Sequence, residues 1–350
     1  MEKNFNIGDI KIGENEKTFI IAEMSANHLQ NYDRAVEIIK KVKWAGADAI
    51  KLQTYTPDTI TIDCDNEYFQ INQGTIWDGT TLHKLYEEAY TPWEWQPKLK
   101  EIAEELGLLF FSSPFDFTAV DFLENIDVPA YKIASFEIND IPFIEYIASK
   151  GKPIIMSTGI ARMGDIQDAI DACKRVGNEK IALLKCTSAY PSPIEEINLK
   201  TIPNMKETFN CLVGLSDHTM GHAVSVGGVA IGAKIIEKHM TLRRSDGGAD
   251  SKFSMEPEEF KEMVDNIRIV EKALGTVIYD LTEKQKSSRE HSRSLFVVKD
   301  IKKGELFTNY NVKSIRPGFG LETKFIKDIL GKAAKEDIKK GTPMEWSLIK

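Results

Sequence analysis

Between residues 18 and 275 the chain repeats one pattern: a short apolar, β-branched run, one or two polar residues, then a segment whose apolar positions recur at helical spacing. Eight such runs predict strands, at residues 18–26, 49–55, 108–114, 130–135, 153–159, 181–188, 212–218 and 235–242. Amphipathic helices fit between them, most clearly at 32–44, 97–106, 164–176 and 256–274, each with its apolar residues on one face. Asp140-Ile-Pro142 reads as a helix cap followed by proline in the first turn. Gly46, Gly107, Gly151 and Gly177 stand where helices would close. Eight strand-helix units in about 260 residues match the count and size of a TIM (β/α)8 barrel. The rival, an open doubly wound sheet, usually carries a glycine-rich turn after its first strand. Here that strand ends Ala22-Glu-Met-Ser-Ala-Asn-His28, without glycine.

The pattern breaks in two places. An insertion at 56–91 follows the second strand; with the segment just after it, it brings Trp77, Tyr86, Trp93 and Trp95, which predicts either a lid or dimer contact or simple packing of the loop onto the barrel. After Gly275 a polar stretch reads as a linker at 276–290. Residues 291–350 then form a second, small domain with short β-rich runs and Lys-Gly turns at Lys303-Gly304 and Lys340-Gly341. A domain of that size is expected to lean on a partner surface.

Charge and composition narrow the function classes. A net charge of −8 over 350 residues, with lysines and glutamates interspersed, argues against nucleic acid as a partner. No apolar run approaches the ~18 residues of a membrane span, and Met1-Glu-Lys-Asn-Phe5 lacks a signal-peptide layout, so the expected location is the cytoplasm. Cys64, Cys173, Cys186 and Cys211 sit in no metal-ligand spacing and are expected to be free thiols.

In a TIM barrel the chemistry gathers at the C-terminal ends of the strands. Those ends carry Glu23, Asn27 and His28; Lys51 and Gln53; Ser112 and Ser113; Lys132, Ser135 and Glu137; Ser157 and Thr158; Lys185, Thr187, Ser188 and Tyr190; Ser216, Asp217 and His218; and Glu237, Lys238 and His239, followed by Asp246 and Asp250. His218 and His239 end two strands 21 positions apart, the spacing of one crossover. Neighbouring parallel strands lie about 4.8 Å apart, so both imidazoles reach one metal ion and leave coordination positions open. Several buried lysines with serines call for an anion such as a phosphate or carboxylate. A Schiff base at Lys132 or Lys185, as in class I aldolases, is the alternative, although it leaves the paired histidines without a role. An aldol-like condensation of an anionic substrate with a carbonyl, aided by a divalent metal and Glu23, accounts for all three features.

Ala22-Glu-Met-Ser-Ala-Asn-His28, Ile50-Lys-Leu-Gln-Thr54, Tyr131-Lys-Ile-Ala-Ser135, Met156-Ser-Thr-Gly159, Gly214-Leu-Ser-Asp-His218 and Glu237-Lys-His239 resemble the sialic acid synthase family. Asp300-Ile-Lys-Lys-Gly304 and Arg316-Pro-Gly318 resemble that family's antifreeze-like (SAF) domain. Within the family, Glu23-Met-Ser-Ala-Asn27, Trp77-Asp-Gly79, Ala89-Tyr-Thr-Pro-Trp-Glu-Trp95 and Phe111-Ser-Ser-Pro-Phe-Asp-Phe117 are most similar to the pseudaminic acid branch. Members making N-acetylneuraminate typically read Glu-Ile-Gly-Ile-Asn-His-Asn-Gly at the first of these places. The resemblance implies a transferase that condenses phosphoenolpyruvate with the open-chain aldehyde of an N-acylated amino sugar. It implies phosphoenolpyruvate binding by Lys51, Ser113, Lys132, Ser135, Ser157, Ser188 and Ser216, and sugar contacts by Glu23, Gln53, Tyr190 and Asp250. It also implies a divalent metal on His218 and His239, manganese by family habit with magnesium or cobalt as alternatives. Finally, it implies a domain-swapped homodimer in which Arg316 reaches the partner's sugar site. Two departures stand out: Leu29 after His28, where relatives usually have asparagine, and Ser188 in place of the asparagine of N-acetylneuraminate synthases.

The sugar itself stays open among a 2,4-diacetamido-hexose of pseudaminic type, its legionaminic isomer and N-acetylmannosamine. A metal-dependent hydrolase barrel would call for more histidines than Ala26-Asn-His28 offers after the first strand. A non-catalytic sugar-binding or ice-binding protein would leave the strand-end lysines and the histidine pair unused.

Overall fold

The computed structural model describes residues 1–72 and 74–350. The chain divides into two compact units, Met1–Gly275 and Thr276–Lys350. In the first, eight parallel strands close on themselves: β3 (Phe19–Glu23), β4 (Ala49–Thr54), β5 (Leu109–Pro114), β6 (Tyr131–Ile133), β7 (Ile154–Ser157), β8 (Ile181–Cys186), β9 (Leu212–Asp217) and β10 (Ile235–His239), with β10 pairing back to β3. Each of the eight predicted runs contains one of these strands. Their near-continuous Ile, Leu, Val and Ala content suits strands covered on both faces.

The four predicted helices are found as α1 (Tyr32–Ala45), α4 (Gln96–Glu105), α7 (Met163–Arg175) and α10 (Pro257–Leu274). They are joined by α5 (Phe117–Asn125), α6 (Ile141–Ala148), α8 (Thr201–Phe209) and α9 (Ala223–Ala230), while the insertion holds α2 (Pro57–Ile60) and α3 (Leu82–Ala89). Asp140 caps α6 as its sequence suggests, accepting from the Phe143 amide at 3.2 Å.

A hairpin that the strand pattern did not predict precedes the barrel, β1 (Asn4–Ile7) paired antiparallel with β2 (Ile10–Gly13). It turns through Gly8 at φ +58°, and its buried Phe5, Ile7 and Ile12 join the barrel core. Glu2 donates its amide to Glu179, just before β8, and a Cβ at Gly8 would meet Leu109 at the start of β5. The hairpin therefore plugs the end of the barrel away from the chemistry.

The insertion is anchored by aromatic side chains. Trp93 donates its indole N–H to the Tyr55 carbonyl at 3.0 Å, and Tyr86 packs edge-on against Tyr55. Trp95 packs edge-on against both His28 and Tyr32. These three rings follow the packing alternative; Trp77 behaves differently, as described below.

The second unit has its own core of Leu295, Val297, Ile301, Phe307, Val312, Ile329, Ala334, Ile338 and Met344 around β11 (Ser294–Val297) and β12 (Val312–Ile315). Gly304 and Gly341 of the two Lys-Gly turns have positive φ. Residues 283–289 of the expected linker form helix α11 (Glu283–Arg289), and a last short helix is α12 (Ile326–Ile329). No helix among the described residues is long and apolar enough to cross a membrane.

Candidate active site

Side chains alternate between the two faces of a strand, so each barrel strand sends one set of residues inward and the next outward. In register, His239 pairs with Glu23, Glu23 with Lys51, and Gln53 with Ser113, while Cys186 pairs with Ser216 and Ser216 with Glu237. These partners share the interior face. The opposite parity carries Lys238 and Asp217, an ion pair of 2.8 Å outside the barrel wall, where Asp217 also accepts from Ser225 of α9 at 2.6 Å. Ser112 likewise faces outward, 2.7 Å from Thr54. Lys185 is outward too, its ammonium spent on the Cys186 carbonyl at 2.7 Å and on Thr187 at 3.0 Å. The alternative of a Schiff base at Lys185 is corrected on that ground: its amine does not enter the cavity.

Inside, Lys51 is ion-paired with Glu23 and stands 4.0 Å from Glu237, while donating to Ser113 at 3.3 Å. Lys132 stands 3.7 Å from Glu237 and donates to Ser157 at 2.7 Å. Ser216 donates to Glu237 at 3.1 Å. The anions that the buried lysines call for are present within the chain as the Glu23 and Glu237 carboxylates. Burial raises the Glu23 carboxyl to about 7, against the pull of Lys51. Burial acts the same way on Glu237, yet Lys132 and Lys51 prevail and hold it below the usual carboxylate range. Burial lowers Lys132, whereas at Lys51 burial is outweighed by Glu23 and Glu237 and the ammonium is raised.

Next to this cluster lies a cradle built around Gly159. Its amide donates to Ser135 at 3.1 Å, and a Cβ there would stand 2.1 Å from the Ser188 hydroxyl and 2.8 Å from that of Ser135. Only glycine lets the backbone come this close to two hydroxyls.

On the other side His218 and His239 lie with ring centroids 5.3 Å apart. His239 Nδ1 is buried without a hydrogen-bond partner among the described residues, while His218 Nδ1 lies 3.3 Å from the Thr187 carbonyl and 3.8 Å from Cys186 Sγ. No group of three or more His, Cys, Asp or Glu among the described residues is placed to hold a metal. Two adjacent imidazoles, one with an orphaned nitrogen, nonetheless fit a divalent ion that takes its remaining ligands from water or substrate.

Tyr190 packs at a tilt against His218 at 4.6 Å and Phe253 at 5.1 Å, and Phe253 stands edge-on to His239 at 5.0 Å. Asp250, raised by burial in spite of its bond from Ser25, also accepts from the Ala26 amide at 3.4 Å.

Residues 38–279 match the NeuB family, and residues 292–350 match the SAF domain. The chain is 50% identical over 332 residues to the pseudaminic acid synthase of Campylobacter jejuni subsp. jejuni serotype O:23/36, covering 95% of this chain and 96% of that one. It is 47% identical over 326 residues to the pseudaminic acid synthase of Helicobacter pylori, covering 93% and 96%. The chain belongs to the NeuB family. Among solved structures, the N-acetylneuraminic acid synthetase of Leptospira borgpetersenii serovar Hardjo-bovis in complex with citrate matches with a TM-score of 0.72 and 32% identity over 81% of this chain and 94% of that one.

For this NeuB-family chain, the geometry brings Glu23, Lys51, Ser113, Lys132, Ser157 and Ser216 into one cluster, with Ser135 and Ser188 in the adjoining cradle and His218, His239, Tyr190 and Asp250 beside them. Gln53 is half-buried on the same face and makes no side-chain hydrogen bond to a described residue. Arg316 lies in the second unit, exposed and without a hydrogen-bond or ion-pair partner among the described residues. Three members of the site had no assigned role in the sequence reading. Glu237 was announced by parity, since it stands two residues before His239 and must face the same way. Cys186 was announced in the same manner by its register with Ser216. Phe253 comes from an irregular loop and had no periodic signal.

Proposed function

We propose that this chain is a pseudaminic acid synthase, condensing phosphoenolpyruvate with the open-chain aldehyde of 2,4-diacetamido-2,4,6-trideoxy-altropyranose to give pseudaminic acid and phosphate. The observation that carries this reading is the joining, in one barrel mouth, of a Lys51/Lys132 cluster lined with serines to a histidine pair with an orphaned nitrogen. The names of the relatives support the choice of sugar.

In this mechanism Lys51, Lys132 and the hydroxyls of Ser113, Ser135, Ser157 and Ser188 receive the phosphate and carboxylate groups, with the ion pairs to Glu23 and Glu237 loosening as the substrate's charge takes their place. Ser216 orients Glu237. C3 of phosphoenolpyruvate forms the new bond to the aldehyde carbon, whose oxygen takes a proton. Water adds at C2 and gives up a proton, and the C2–O bond to phosphate breaks as phosphate leaves. Glu23, held at about 7, can take up or release that proton near neutrality. Gln53, Tyr190 and Asp250 hold the sugar. A divalent ion, manganese in this proposal, would be held by His218 and His239 and supplies Lewis-acid polarisation of a carbonyl oxygen when bound. Arg316 of a second copy completes the sugar site in a domain-swapped homodimer acting in the cytoplasm.

The test is phosphate release from phosphoenolpyruvate with manganese and each candidate sugar. Turnover with the 2,4-diacetamido-trideoxy altro sugar is expected. Preference for its legionaminic isomer or for N-acetylmannosamine would replace the sugar assignment, and no release with any of them would overturn the reading.

A further inference from the structure

Trp77, from the 56–91 insertion, reaches the candidate active site. Its ring packs at a tilt against Tyr190, centroids 5.4 Å apart, and its indole N–H donates to the Ala249 carbonyl at 2.9 Å, one residue before Asp250. It is thus pinned against Tyr190 and against the backbone next to Asp250, the two residues placed on the sugar side of the site. The turn behind it is held by Asp78, which accepts from the Gly74 and Thr75 amides at 2.8 Å each.

From the reactive end outwards the order is His218, Tyr190, Trp77, each ring packed at a tilt against the next. A six-carbon aldehyde with C1 at the histidines extends its far end along that row. The indole N–H is already satisfied, so what Trp77 can present to a ligand is an apolar face. The same ring lines a cavity of about 570 Å3 together with Ala26, Leu29, Ile76, Leu85 and Ala249. Of the polar side chains around it, Gln30 is spent on the Tyr90 and Glu88 carbonyls and Asp78 on the Gly74 and Thr75 amides, while Thr80 and Glu88 stand on the cavity's rim away from the indole face.

We propose that Trp77 is a specificity-determining residue that selects a sugar ending in a C6 methyl over one ending in a C6 hydroxymethyl. A methyl loses nothing on leaving water for an indole face, whereas a hydroxyl laid on that face finds no partner in the ring, whose N–H is already given to the Ala249 carbonyl. Apolar contacts of this kind discriminate by about 10- to 100-fold. The assignment rests on the synthase reading above.

The experiment compares two substrates differing only at C6, the 2,4-diacetamido-2,4,6-trideoxy hexose and its 6-hydroxy analogue, by phosphate release from phosphoenolpyruvate. Wild type is expected to favour the deoxy sugar in kcat/KM by about tenfold or more. Trp77→Ala is expected to bring that ratio to within about threefold of unity, and Trp77→Gln, which keeps a donor for Ala249, to do the same or invert it. If Trp77→Ala does not fold, the glutamine variant gives the same readout. A ratio unchanged from wild type in the variant that folds, with both sugars losing equally, would reduce Trp77 to a structural residue and overturn the proposal. Wild type turning over both sugars equally well would also overturn it while leaving the synthase reading intact. No release by wild type with any N-acylated amino sugar sinks both readings.

Discussion

Lys132 and Glu237 face each other at 3.7 Å inside the barrel, with side chains 2% and 6% exposed. Removing one partner of such a buried pair commonly costs about 3–5 kcal/mol, because the other is left uncompensated. Glu237→Gln should therefore lower the free energy of unfolding by about 3 kcal/mol. Adding Lys132→Met should recover much of that loss without recovering activity. Urea denaturation of the single and double variants measures both effects, and a fully additive double variant would mean that the two groups do not interact.

His239 Nδ1 has no hydrogen-bond partner among the described residues, so His239→Ala is expected to abolish phosphate release and metal uptake while changing stability by no more than the packing and cavity it leaves. Metal content after dialysis, read beside a urea curve, checks this. A chelator should silence the wild type and added manganese should restore it. Turnover that survives exhaustive chelation would count against a metal on the histidine pair.

His28 offers a pH test away from the His218–His239 pair. Its Nδ1 accepts from the Gln30 amide at 3.1 Å, which places the ring proton on Nε2, 3.1 Å from Thr91. Burial, then the charge of Arg34, lowers it to about 4, so the fold holds the ring neutral. Between pH 6.5 and 4 the unfolded chain binds the proton and the folded chain does not, and stability falls as pH drops through that window. The contribution is full above about 6.5 and is at most about 3 kcal/mol. His28→Asn should flatten this part of the stability profile; an unchanged slope would show that the ring is charged in the fold.

Arg316 can be tested by complementation. Arg316→Ala and His239→Ala should each be inactive alone, and refolding them together should restore one working site per heterodimer. The absence of any recovery would place Arg316 outside the partner's site.

The barrel was legible because its strands are apolar on both faces and their polar ends recur at regular intervals. Parity was the signal left unused: the same alternation that turns His239 inward turns Glu237 inward and Lys238 outward, which separates the interior cluster from the ion pair in the wall. The N-terminal hairpin was readable too, from Gly8-Asp9 between the alternating Phe5, Ile7, Ile10 and Ile12. Trp77 was not, since its placement follows from a loop fold with no periodicity, and only its neighbours in space give it a role.

Strand β10 is locked in phase from both sides, by Glu237 and His239 within and by Lys238 on Asp217 without. A slip of one residue would drive a lysine into the cavity and a carboxylate into the wall. The register of β10 is thus fixed twice over, whereas the 56–91 insertion lies between β4 and β5 and takes no part in that pairing.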